Sequence, residues 1–229
     1  MKVDLYVRQI IFYYGYPVTV REFDGGFIMN SKGFFTARNI TALSILLALV
    51  IVLQTFGGAI NIGPVQLNFT LIPIALGAIL LGPIAGLILG FACGVVVAVQ
   101  VILGLVPFYV LIWTETPVVA LLTCVIKTTV AGFVSGLVYK LLVKKNRYFA
   151  VFVAAALVPI INTGLFIVGC LGMWPVMVQM AGGTNILGFI IVSLVTFNFF
   201  VELAINLLCA PALYRVIKVV DKNGVYGAE

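Results

Sequence analysis

With 63% hydrophobic and 9% charged residues, the 229-residue chain is too apolar for a soluble domain and reads as an all-α membrane protein crossing the bilayer several times. Its formal net charge of +6 would suggest nucleic acid in a soluble chain, but here the positive residues cluster at the ends of apolar segments, where membrane topology accounts for them. Histidine is absent, which removes His-based zinc, proton-relay and Ser-His-Asp chemistry; the four cysteines lie inside apolar runs without ligand spacing and read as packing residues, so no metal site is expected.

Residues 1–28 mix charges, aromatics and turn formers, and their apolar run is too short and interrupted for a signal peptide. Gly25-Gly26-Phe27-Ile28-Met29 can be encoded with a ribosome-binding GGAGG just before the Met29 codon. We therefore expect Met29 to be the start, with 1–28 a translated leader, 29–220 the membrane domain and 221–229 a cytoplasmic tail. Mass spectrometry of protein expressed from the native gene is expected to find no peptide from before Met29.

The first apolar segment runs from Ala37 to Phe56, with Gln54 its one polar residue near the end, and Gly57-Gly58 breaks it. Ser44 and Ala48, four apart on this helix, make a small surface that marks a close helix contact, internal or with a partner. After the turn-rich loop 59–67 comes a short second segment, Asn68–Leu81, which is marginal for crossing unless its ends are buried in protein. Gly82-Pro83 turns the chain into a third segment, Ile84–Leu103, rich in Gly and Ala that let neighbouring helices approach closely. The loop 104–114 contains Pro107 and is apolar and aromatic, so it is expected to lie at the outer interface. There Tyr109 and Trp113 either anchor in the headgroup region or stack on a ligand. The fourth segment, 115–143, starts at Glu115; the fifth is Tyr148–Leu171; a loop 172–184 with Trp174 leads to the sixth, Asn185–Val219.

Arg38, Lys140, Lys144, Lys145, Arg147, Arg215 and Lys218 then all fall on one side. Six transmembrane helices with cytoplasmic N- and C-termini satisfy the positive-inside rule.

Lys127 sits in the middle of the fourth segment, where a cation costs roughly 3 kcal/mol unless something meets it. Candidates are Asn162 in the fifth segment and Asn198, Glu202 and Asn206 in the sixth; the last three recur every four residues and so form one helical stripe. Lys127 and Glu202 each lie 13 residues from the basic end of their segment, and Asn162 lies 15 from its own, which at ~1.5 Å per residue sets all three about 20 Å in, just past the midplane. The spacing predicts a polar pocket opening outward. Either Lys127 and Glu202 pair as a structural ion bridge, or they join Asn162 and Asn198 in receiving a small polar ligand. Asn61, Gln66 and Asn68 flank the first loop and are placed to close over such a ligand or simply to cap turns. No catalytic constellation and no Walker motif is present, so the chain is expected to be no enzyme and to bind no ATP itself.

The stretches Leu81–Gly90 (LGPIAGLILG), Lys127–Leu142 (KTTVAGFVSGLVYKLL), Asn162–Gly169 (NTGLFIVG) and Asn198–Ile217 (NFFVELAINLLCAPALYRVI) resemble the substrate-binding S components of energy-coupling factor (ECF) vitamin transporters, over about 29–220. The resemblance implies high-affinity capture of a vitamin at the outer face of a prokaryotic plasma membrane. It also implies ATP-dependent uptake with two cytoplasmic ATPases and a transmembrane coupling subunit, the S component toppling to release its ligand, with no cofactor in this chain. The substrate-binding set expected from the residues above is Lys127, Asn162, Asn198, Glu202, Asn68, Gln66, Trp113, Glu115 and Trp174, for a ligand such as pantothenate or riboflavin. In the family an alanine pair on the first helix docks the coupling subunit; here Ser44–Ala48 stands at that place, with Ser for the first Ala. The alternative from another class is a self-contained, proton-coupled secondary transporter using Glu202, although the broken-helix inverted repeats of such folds are not visible in the sequence.

Overall fold

A computed structural model describes residues 37–57, 61–62, 65–66, 68–183 and 185–222. The expected leader at 1–28 and the end of the tail lie outside the described residues. In chain order the elements are α1 (Ala37–Gly57), a two-residue antiparallel pair β1 (Asn61–Ile62) and β2 (Val65–Gln66), α2 (Leu71–Leu80), α3 (Pro83–Ile102), α4 (Pro107–Glu115), α5 (Pro117–Leu142), α6 (Arg147–Gly172), α7 (Trp174–Ala181), α8 (Ile186–Gly188), a π-helical stretch Phe189–Thr196, and α9 (Phe197–Lys222). Among the described residues, α1, α3, α5, α6 and α9 are each long and apolar enough to cross a membrane. The protein is an all-α polytopic membrane protein.

The second segment is shorter than expected. α2 has 10 residues, about 15 Å or half the hydrocarbon layer, and starts at Leu71 rather than Asn68. Such a half-span is tolerated because its ends meet protein instead of lipid. Leu71, Ile74, Ala75 and Ala78 are fully buried, and α3, α5, α6, α1 and α9 all pack on it.

The loops 104–114 and 172–184 each contain a helix that sequence reading missed. Pro107 and Pro175 each occupy the first turn of a helix, α4 and α7, as Pro83 and Pro117 do for α3 and α5. At that position the missing N–H costs nothing, because the first-turn donors have no helical acceptor anyway. Tyr109 is correspondingly not an interface anchor: it is 4% exposed and packs edge-on against Phe108, ring centroids 5.1 Å apart. Nor is the sixth segment a uniform α-helix, since Phe189–Thr196 is π-helical, and the chain turns sharply as it enters that segment. α7 and the stretch Ile186–Val192 meet at 90° across Gly182 and Gly183, whose φ values of 57° and 86° suit residues without a Cβ. Asn185 Oδ1 then caps the new helix by accepting from Leu187 N at 3.1 Å and Gly188 N at 3.3 Å.

The tightest packing in the fold is between α3 and α5. A Cβ added to Gly86 or Gly90 would strike the backbone carbonyls of Gly132 and Thr128, and one on Gly94 would come within 2.6 Å of Val125 Cα. These glycines recur every four residues, and Thr128, Gly132 and Gly136 recur likewise on the facing helix, so the two backbones touch along three turns. On the other side of α5, Ser135 Oγ donates to Ala154 O of α6 at 2.8 Å. With Thr128 turned to α3 and Ser135 to α6, the rotation of α5 is fixed, and with it the direction of Lys127.

Gly132→Ala is therefore expected to cost about 1–3 kcal/mol by overpacking, since its Cβ would come within 2.8 Å of the Gly86 carbonyl carbon and 2.9 Å of Ile74 Cγ2. Gly164→Ala on α6, where nothing lies within 4 Å, should change stability by no more than about 0.5 kcal/mol. Thermal unfolding of the two variants in detergent checks the contrast.

Candidate functional site

Lys127 lies half-buried on α5, with its Nζ 5.0 Å from the centroid of the Phe166 ring on α6. A cation over an aromatic face gains about 0.5–2 kcal/mol, which partly offsets its removal from water. Its charge acts on Cys93, Cys124, Cys170 and Glu202, so it stands among the helices that carry them. Among the described residues no ion pair joins Lys127 to Glu202. The direct structural bridge that the sequence left open is thus not made here.

Glu202 is instead held by backbone. Its Oε1 accepts the Asn68 N–H at 3.0 Å, from the turn that leads into α2. Asn206, one turn on, donates its Nδ2 to Glu202 O at 2.9 Å. Asn68, Phe69, Glu202, Ile205 and Asn206 line a narrow crevice. Asn162, Asn198, Glu202 and Asn206 are all buried, the last three as one helical stripe. Asn162 Oδ1 and Asn206 Oδ1 are buried without a hydrogen-bond partner.

Behind this cluster lies a buried polar network that sequence reading missed. Gln54 of α1 and Gln100 of α3 exchange two bonds: Gln54 Nε2 donates to Gln100 Oε1, and Gln100 Nε2 to Gln54 O, each at 3.1 Å. Thr70, fully buried before α2, directs its hydroxyl to Gln54 Oε1 at 3.3 Å and to Asn68 Oδ1. A hydroxyl has one proton to give, so it serves one of these acceptors at a time. Cys93 Sγ lies 3.1 Å from Thr70 Oγ1, which gives this thiol a polar contact beyond the packing role expected of it. The chain of contacts Gln100–Gln54–Thr70–Asn68–Glu202 thereby ties α3, α1, the turn before α2, and α9. Its one legible signal was the isolated glutamine near the end of each of two apolar spans. The Asn68 N–H is backbone and leaves no trace in residue type.

The remaining expected residues lie on α4, α7 and β2. Trp113 is half-buried against the core on α4, Glu115 is exposed at the end of the same helix, and Trp174 is 42% exposed at the start of α7. Of Gln66 only the backbone, in β2, is described. On α1, Ser44 and Ala48 are exposed, and Ser44 Oγ donates to Ile40 O at 2.9 Å, so its polar group is satisfied within the helix. No cluster of three or more metal-ligating side chains occurs among the described residues.

Gln54→Leu should leave Gln100 Oε1 without its donor in a buried setting, while Thr70 keeps Asn68 Oδ1, and destabilise the protein by about 1–3 kcal/mol. Adding Gln100→Leu should recover part of that loss, because the two amides satisfy each other. Unfolding of the single and double variants in detergent measures the coupling.

Comparison with curated proteins finds no match. The family profile described as "ECF transporter, substrate-specific component" matches residues 38–214, from the first turn of α1 to near the end of α9. It therefore takes in every membrane-length helix, the half-span α2 and the whole buried polar cluster. The chain belongs to the substrate-specific components of ECF transporters, a transport subunit that binds substrate and works with an ECF energising module, not an enzyme.

Proposed function

We propose that this chain captures a vitamin or related micronutrient at the outer face of a prokaryotic plasma membrane and delivers it inward by ATP-driven uptake. Its partners are two cytoplasmic ATPases, which bind and hydrolyse the ATP, and a transmembrane coupling subunit. The ligand is received by Lys127, Asn162, Asn198, Glu202 and Asn68, with Gln66, Trp113, Glu115 and Trp174 at the surrounding loops and helix ends.

The observation that carries this reading is that Lys127 and Glu202 are charges of opposite sign inside apolar spans that do not pair directly, although the charge of Lys127 reaches Glu202. Intramembrane charges are costly and mark substrate pathways when they are not consumed by one another. The crevice is too tight to hold even a water molecule, far below the roughly 300 Å³ of an ordinary small-molecule site. Admission of the ligand therefore moves the Asn68–Phe69 turn off Glu202.

The exposed face of α1 supports docking of the coupling subunit. Ser44 and Ala48 form a small, hydrogen-bond-satisfied surface flanked by Ile40, Ile45 and Leu49, and such a face packs closely and reversibly in lipid.

Uptake in proteoliposomes tests the reading. Strict dependence on ATP and on the partner subunits is expected; uptake by this chain alone, driven by a pH gradient, would instead establish a proton-coupled secondary transporter. Lys127→Ala should weaken ligand binding at least tenfold, about 1.4 kcal/mol, in a protein that still folds. Ser44→Leu or Ala48→Leu should leave binding in detergent intact while abolishing uptake by the assembled complex.

A further inference from the structure

The buried polar atoms of the site are unequally matched, and the imbalance describes the ligand. Asn206 is 2% exposed, and its Nδ2 donates to Glu202 O at 2.9 Å. That bond fixes the orientation of the amide, since a flipped Asn206 would set oxygen against oxygen. Its Oδ1 is therefore an acceptor with nothing to accept from. Asn162, 4% exposed and one turn before the Phe166 ring that Lys127 covers, likewise has an Oδ1 without a donor. Glu202, 7% exposed, adds a carboxylate whose Oε1 accepts from the Asn68 N–H at 3.0 Å. Three side chains thus present acceptor atoms, and two of those atoms are unmatched. On the donor side stands the Lys127 ammonium, the one cation away from a span end among the described residues.

Charge narrows the class further. With Glu202 ionised, the form that the Asn68 N–H and the Lys127 charge favour, the two charges sum to zero, so a ligand carboxylate would bring an extra buried negative charge beside Glu202 with no second cation to meet it, and an ammonium would bring the opposite excess. Buried polar groups are ordinarily hydrogen-bonded, so orphaned acceptors in a binding site call for donors on what binds there.

We propose that the part of the ligand entering this site is uncharged and rich in hydrogen-bond donors, such as an imide- or amine-bearing ring or a polyol, with one acceptor for Lys127. The proposal rests on the binding role given above to the same residues. Asn206 and Asn162 accept N–H or O–H groups of the ligand, the free lone pairs of Glu202 accept another, and Lys127 donates to a ring carbonyl or equivalent oxygen.

The test uses the full-length purified protein and named probes: riboflavin as an uncharged imide and polyol, thiamine as a cation, and the matched pairs pantothenate with pantothenol and biotin with biotinamide. Affinities are measured by titration calorimetry, and small molecules released on denaturation are identified by mass spectrometry. An uncharged compound is expected to bind at least tenfold more tightly than any carboxylate or cation. In either matched pair, if one member binds, the neutral one should bind more tightly. Asn206→Leu and Asn162→Leu should each weaken that binding at least tenfold without lowering the thermal stability of the ligand-free protein, a combination that a purely structural role would not give. Tightest binding of a carboxylate or cation, or a neutral ligand indifferent to both variants, would overturn the proposal while leaving the binding role standing. Absence of any bound or bindable small molecule would overturn the binding role itself, and this proposal with it.

Discussion

The backbone contact between α3 and α5 is the constraint on which the rest of the site depends. Gly86 and Gly90 meet Gly132 and Thr128 with no side chain between them, so neither helix can turn about its axis without driving a Cβ into a carbonyl. In lipid, where apolar side chains gain nothing by leaving one apolar medium for another, such close packing replaces the hydrophobic effect as the source of specificity. The consequence reaches the chemistry directly. Thr128 and Lys127 are adjacent on α5, so the seam that buries Thr128 against α3 leaves Lys127 pointing toward α6 and the Phe166 ring.

A second constraint is that the polar atoms inside the spans are assembled as one connected set. The glutamine pair of α1 and α3 satisfies itself and passes through Thr70 to Asn68, and Asn68 meets Glu202. Glu202 is therefore neither free nor neutralised by Lys127; it is held by a backbone N–H that belongs to a turn, not to a helix. Turns move at less cost than helices do, because few ladder bonds are lost when they shift. Holding an anion in this way keeps it satisfied without committing Lys127, and it leaves both charges available to a third group.

Helix α1 connects these two features of the molecule. Leu46, Val50 and Gln54, spaced by four, form its buried edge, and Gln54 enters the polar network. Ser44, Ile45, Ala48 and Leu49 face outward. One helix thus carries both a link to the site and the surface suited to a partner in the membrane. Such an arrangement fits a subunit whose occupancy has to be coupled to an energising module, the association that family membership implies.

The sequence by itself determined the class and the places of the long spans. These follow from hydropathy, from basic residues at segment ends and from the fixed rise of a helix, all of which are local properties of the chain. The four-residue repeat of Asn198, Glu202 and Asn206 was legible for the same reason, and all three are buried together. The helix hidden in the loop 104–114 was misread because a proline interrupts a helix in its interior but begins one at its first turn, and the residue type does not say which. Whether Lys127 and Glu202 pair was decided by tertiary structure alone, since it depends on the angle at which α5 and α9 present them across intervening elements. So was the contact of Gln54 with Gln100, 46 residues apart, and that of Asn68 with Glu202, 134 apart. Partners at that separation are chosen by how the helices pack, and the donor that holds Glu202 is a backbone N–H that every residue but proline possesses.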